Sequence, residues 1–137
     1  MKRAHIGGRI LSVSGFMVLL GALGLAIASE VPPIITQAAL LEKLEQGRAP
    51  LILDVRTPAE YQSGYVPQAL NIPHMELPYR MSEIADAKSR EVVVYCERGP
   101  RAGFAESVLR NAGFSVVRHL EGDMYAWRAR GLPMERP

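Results

Sequence analysis

Apolar and polar positions alternate in blocks along residues 34–137, and the blocks predict strands and helices in turn. Ile34-Ile35 predicts a short strand, Thr36 an N-cap, and Ala39, Leu40 and Leu44 a helix ended by Gly47. Leu51-Ile52-Leu53 is a continuous apolar run of the kind buried on both faces of a parallel sheet, and it leads into Asp54-Val55-Arg56. Thr57-Pro58-Ala59-Glu60 then joins a capping box to a proline at the first helical position, opening a short helix that Gly64 closes. A third strand is expected over 69–72, halted by Pro73, and a helix from Leu77 to Ala85. Val92-Val93-Val94-Tyr95 predicts another buried strand. Ala102, Ala105, Val108, Leu109 and Ala112 predict a helix stopped by Gly113; Ser115-Val116-Val117 predicts the last strand, and a final helix holds Trp127. Such alternation implies right-handed crossovers and an α/β domain: a parallel sheet of about five strands with helices on both faces.

Ligands of open α/β sheets bind beyond the carboxyl ends of the strands. The only cysteine of the chain, Cys96, occupies that address, followed by Glu97-Arg98-Gly99-Pro100-Arg101. The thiolate is the nucleophilic form of cysteine, and a helix N-terminus and nearby arginines favour it. If the amides after Cys96 curl around the sulfur they form an anion-binding nest, for which Gly99 has the backbone freedom. Pro100 brings no N–H to such a nest, although it suits the first position of a helix. The plainer alternatives are an inert buried thiol and, for Arg98, a solvated surface charge. Two arginines and a glycine between strand and helix favour the reactive reading.

The length of 137 residues suits one domain with a sizeable core. Sixteen basic residues oppose fourteen acidic ones, but three of the basic ones stand at positions 2, 3 and 9. The remaining thirteen leave the domain near −1, so a nucleic-acid role has no electrostatic footprint. Lys2, Arg3 and Arg9 precede an uncharged stretch, Ile10 to Ser29, whose length of about 20 residues is close to that of a membrane span. Ala26-Ile27-Ala28 is a small-x-small pattern of the kind signal peptidase cuts. Residues 1–29 are therefore read as a signal peptide cleaved after Ala28 or as a retained membrane anchor, with which Gly15, Gly21 and Gly24 are compatible. Both readings place the domain, residues 34–137 behind a linker at 30–33, in the periplasm or an equivalent space. There a lone cysteine has no internal disulfide partner and no resolving thiol, which suits a thiol that carries a group and passes it on. A monomer is expected. No cofactor or metal is expected either: His74 and His119 sit in no ligand spacing and read as ordinary polar or capping residues, and Met75, Met81 and Met124 read as core filler.

Four segments resemble, in order, the signatures of the single-domain rhodanese family. They are Leu51-Ile52-Leu53-Asp54-Val55-Arg56-Thr57-Pro58-Ala59-Glu60-Tyr61, then Gly64-Tyr65-Val66-Pro67-Gln68-Ala69-Leu70-Asn71-Ile72-Pro73, then Tyr95-Cys96 to Arg101, then Leu120-Glu121-Gly122-Asp123 with Trp127, Gly131, Leu132 and Pro133. The resemblance implies a sulfurtransferase in which Cys96 takes sulfane sulfur from a donor such as thiosulfate and gives it to cyanide or a thiol. It implies that Glu97, Arg98, Gly99, Pro100 and Arg101 form the loop that meets the substrate, with the two arginines on the anionic donor. Asp54 and Arg56 are read as support for that loop, a plain structural ion pair being the alternative. Tyr65 stands where the family usually has histidine, and Gln68 and Asp123 stand where it usually has glycine. These departures are expected to touch turns and packing rather than the nucleophile. Glu97 is expected to repel an anionic donor unless it points to solvent or pairs with Arg98.

Two rivals remain. Related phosphatase and arsenate reductase loops place five residues between cysteine and arginine, which would put arginine at position 102, where this chain has Ala102. A noncatalytic module that keeps only the fold is disfavoured by the intact Cys96.

Overall fold

The computed structural model describes residues 30–137; the proposed signal or anchor at 1–29 lies outside them. Among the described residues, no helix is long and apolar enough to cross a membrane. The five strands are β1 (Ile34–Ile35), β2 (Leu51–Asp54), β3 (Leu70–Asn71), β4 (Glu91–Tyr95) and β5 (Val116–Leu120). They form one parallel sheet in the order β1-β5-β4-β2-β3. Among the described residues the α-helices are α1 (Gln37–Glu45), α2 (Pro58–Gln62), α3 (Pro100–Asn111) and α4 (Asp123–Ala129).

The local signals act as their chemistry dictates. Thr36 Oγ1 accepts the Ala39 N–H at 3.1 Å and starts α1. Thr57 and Glu60 cap α2 reciprocally: Thr57 Oγ1 accepts the Glu60 N–H, and the Glu60 carboxylate accepts the Thr57 N–H. Along β4, side chains alternate between two buried faces. Val92, Val94 and then Cys96 pack with Leu53, Ala102, Ala105 and Leu109 under α3. Val93 and Tyr95 pack with Ile35, Leu40, Met124 and Trp127 under α1 and α4. Both faces are covered, which is why the strand reads as an unbroken apolar run.

The helix expected from Leu77 to Ala85 is instead two 3-10 segments, Leu77–Tyr79 and Met81–Ala87, broken at Arg80. Arg80 (φ −117°, ψ 16°) and then Ile84 (φ −124°, ψ 15°) leave the helical region and divide the run into short turns. The Arg80 side chain binds Glu76 and Glu83, while Leu77, Ile84 and Ala87 are buried and Met81 packs against the same core.

Candidate active site

Adjacent parallel strands end side by side, so the loop after β4 lies next to the turn after β5. The loop is Cys96 to Arg101; the turn is Glu121-Gly122-Asp123. They are sewn together by backbone bonds, the amides of Met124 and Tyr125 donating to the carbonyls of Cys96 and Glu97 at 3.0 and 3.1 Å. Cys96 is 1 % exposed, and its Sγ accepts the Gly99 N–H at 3.0 Å. Gly99 has φ +117°, a conformation that side chains strongly resist, and Pro100 follows as the first residue of α3. One amide thus reaches the sulfur, and the proline sits where its missing N–H costs nothing.

Arg101 lies on the first turn of α3 and pairs bidentately with Glu60 of α2 at 2.7 and 2.9 Å. The pairing holds the Glu60 carboxyl down at about 2, and Glu60 is the main group reinforcing the Arg101 charge, with the Cys96 sulfur adding to it. Arg98 lies over the ring of Tyr125, 3.9 Å from its centroid. Glu97 neither points away nor pairs with Arg98. It binds Arg128 of α4 at 2.8 Å and approaches Arg56 at 3.5 Å, and its carboxyl is held below the usual range chiefly by Arg128. Two cations therefore offset the one acidic side chain in the loop.

The Asp54-Arg56 pair is fully buried. Arg56 Nε donates to both carboxylate oxygens at 3.0 Å and Nη2 to Oδ2 at 2.6 Å, while the Tyr95 hydroxyl donates to the same carboxylate at 2.7 Å. Burial works against the Arg56 charge, but Asp54 foremost, with Tyr95 and Glu97, more than restores it. Nη2 also donates to the Gly64 carbonyl, and Asn71 Nδ2 donates to the carbonyls of Asp54 and Arg56. Through Glu97 the pair also touches the loop.

The family of the Rhodanese-like domain matches residues 36–130. The chain belongs to the rhodanese family. A protein of Allochromatium vinosum named sulfurtransferase is 40 % identical over 103 residues, covering 75 % of this chain and 94 % of that protein. An HTH-type transcriptional regulator of Mycobacterium tuberculosis is 42 % identical over 104 residues, 74 % of this chain but only 44 % of the regulator. Among solved structures, a human single-domain sulfurtransferase superposes with a TM-score of 0.64 at 27 % identity, over 73 % of this chain and 98 % of that one. This rhodanese domain is thus similar to free-standing sulfurtransferases and to a module within larger proteins.

Its departures from the family pattern have structural answers. Tyr65 stacks on Tyr61 with centroids 3.9 Å apart, and its backbone bridges to Glu135. Gln68 keeps the positive φ of the glycine it replaces, at +67°. Asp123 corrects the expectation that such changes stay away from the nucleophile. At φ +53° it turns its carboxylate onto the loop, where Oδ1 accepts the Cys96 backbone N–H at 2.9 Å. In the same signature, Trp127 Nε1 donates to the Pro133 carbonyl at 2.8 Å and closes the end of the chain over α4.

His119 is likewise more than a polar surface residue. Its Nε2 lies 2.9 Å from Asp123 Oδ2 and its Nδ1 lies 2.5 Å from Glu106 Oε1. Asp123 first and Glu106 second raise its proton affinity to about 10 from 6.5. A proton held more tightly in the folded state stabilises the fold fully below pH 6.5 and loses that contribution as the pH rises towards 10. Melting temperature is expected to fall by several degrees between pH 6.5 and 10, and His119→Gln is expected to flatten that slope; equal slopes in calorimetry would refute it. Of the remaining residues, Met124 is buried core and His74 packs edge-on against Phe104, whereas Met75 is 67 % exposed and fills no core.

Proposed function

We propose that this rhodanese domain transfers sulfane sulfur from thiosulfate or a similar small anionic donor to a thiol or cyanide acceptor through a persulfide on Cys96. The observation that carries the reading is the Cys96 sulfur held by the Gly99 amide at the start of a loop that ends, after four intervening residues, in Arg101 on the first turn of α3. The thiolate attacks the outer sulfur of thiosulfate, forming a new S–S bond. The donor's own S–S bond breaks and sulfite leaves with its electron pair. The persulfide then yields its terminal sulfur to cyanide as thiocyanate, or to a thiolate as a new persulfide, and the Cys96 thiolate is regenerated.

Arg101 and Arg98 supply the positive potential that a dianionic donor and departing sulfite require, with the Gly99 amide as a fixed donor at the sulfur. Glu97 is kept from opposing them by Arg128 and Arg56. The phosphatase-type reading is disfavoured by the shorter spacing from Cys96 to Arg101. Export by residues 1–29, and with it a periplasmic site of action, belongs to the same proposal, as does a monomeric state.

The test is direct because the chain has one cysteine. The full chain incubated with thiosulfate is expected to gain the mass of one sulfur atom on Cys96, and to release thiocyanate when cyanide is added. No adduct and no thiocyanate, or hydrolysis of para-nitrophenyl phosphate in their place, would sink the reading.

A further inference from the structure

Behind the candidate nucleophile runs a chain of alternating charge that the sulfur-transfer step does not itself use. Arg110 binds Glu106 at 3.1 Å, Glu106 binds His119, His119 binds one oxygen of Asp123, and the other oxygen accepts the Cys96 backbone N–H. The same Asp123 oxygen that meets His119 also backs the loop: a Cβ built on Gly99 would lie 3.5 Å from it and 3.9 Å from the His119 ring. Asp123 therefore holds the amide of Cys96 directly, and its carboxylate and the His119 ring line the side of Gly99, the residue whose amide meets Sγ. A carboxylate in this position has a cost, because a negative charge beside a thiol disfavours its thiolate. The two oxygens flanking His119 both belong to carboxylates, which only accept hydrogen bonds when ionised, so both ring nitrogens must donate.

We infer that His119 is a positioning residue that acts as a fixed imidazolium counterion to Asp123, so that Asp123 can anchor the Cys96 loop by its amide without suppressing the thiolate. The inference rests on Cys96 being the nucleophile, and it concerns the reactivity of the thiol rather than the identity of the donor. The other charges facing this region are Arg101 with its partner Glu60 on the α3 side, Arg98 and Glu97 within the loop, and Arg128 and Arg56 on Glu97. Each of these acidic groups already has its own arginine. Glu106 has Arg110 beside His119, whereas the cationic partner of Asp123 is His119.

The experiment is the pH dependence of Cys96 alkylation by iodoacetamide in the full chain, which needs no sulfur donor. The variants are His119→Gln, Asp123→Asn and the double variant. His119→Gln removes the cation and leaves the carboxylate, so the profile is expected to move alkaline and alkylation at pH 7 to slow by about tenfold. The double variant removes both charges, and its profile is expected to return close to the wild-type one. Asp123→Asn alone is expected to leave the profile in place or move it to lower pH. A His119→Gln profile that superimposes on wild type overturns the inference. So does a double variant that stays as slow as His119→Gln, because a lesion in packing or folding at position 119 would persist there. Alkylation that follows the expected pattern in a protein that forms no thiosulfate adduct would uphold the inference while the proposed activity fails.

Discussion

Cys96→Ser is expected to remove the sulfur adduct and to lower thiocyanate formation by about 10⁴-fold or more, the scale on which loss of a covalent nucleophile is felt. The fold should survive. Serine is smaller, its oxygen can still accept the Gly99 N–H, and the backbone bonds from Asp123, Met124 and Tyr125 to the loop do not involve the sulfur. A destabilisation of no more than about 1 kcal/mol is expected at a site of this kind. Activity assays paired with thermal melts therefore separate chemistry from structure. A serine variant that transfers sulfur as well as the parent would leave the domain as a module whose cysteine is incidental.

The largest effect on stability is expected from Arg56→Met. Arg56 and Asp54 are both wholly buried, so removing the cation strands a carboxylate that keeps only the Tyr95 hydroxyl and the backbone amide of residue 56 as donors. Breaking such a pair from one side costs about 3–5 kcal/mol, whereas replacing both partners by apolar groups of similar size is often close to neutral. Chemical denaturation should show a loss of that order for Arg56→Met. A large part of it should return in the Asp54→Leu/Arg56→Met double variant. The single variant also deprives Glu97 of one of its two cations and the Gly64 carbonyl of its donor, so sulfur transfer should weaken in whatever fraction remains folded. A single-variant loss below about 1 kcal/mol would mean that water reaches the Asp54 carboxylate.

The contrast between features legible along the chain and features that are not tracks contact range. Thr36, the Thr57-Glu60 capping box and Pro100 act on neighbours a few residues away, so their roles are visible as spacing. The apolar run before Cys96 also carries its meaning locally, since only a strand buried on both faces tolerates it. Asp123, His119 and Glu106 have no such local signature. Asp123 meets Cys96 across 27 positions and His119 meets Glu106 across 13, contacts that exist only because β4 and β5 are neighbours in the sheet and α3 crosses between them. The one available clue is an acidic residue at a turn position usually held by glycine, directly after a strand end. The partners of Glu97 escape a local reading for the same reason: Arg128 and Arg56 come from distant parts of the chain, while Arg98, its sequence neighbour, turns to Tyr125. The helix expected at 77–85 differs at Arg80 and Ile84, whose backbone angles leave the helical region although the apolar pattern runs through them.

The parallel sheet also fixes a direction. Arg118 grips the carbonyls of Pro32 and Ile34, and the His119 amide donates to Pro33, so the chain entering at residue 30 is laid beside the beginning of β5. A groove of about 410 Å³ there is bordered by Glu30, Val31 and Pro33 together with residues 115–118 of β5 and the turn before it. The Cys96 loop lies at the other pole, beyond the strand tips. The chain therefore enters the domain at the foot of the sheet while the loop from Cys96 to Arg101 opens at the opposite end, so that a contact made at one end leaves the other uncovered.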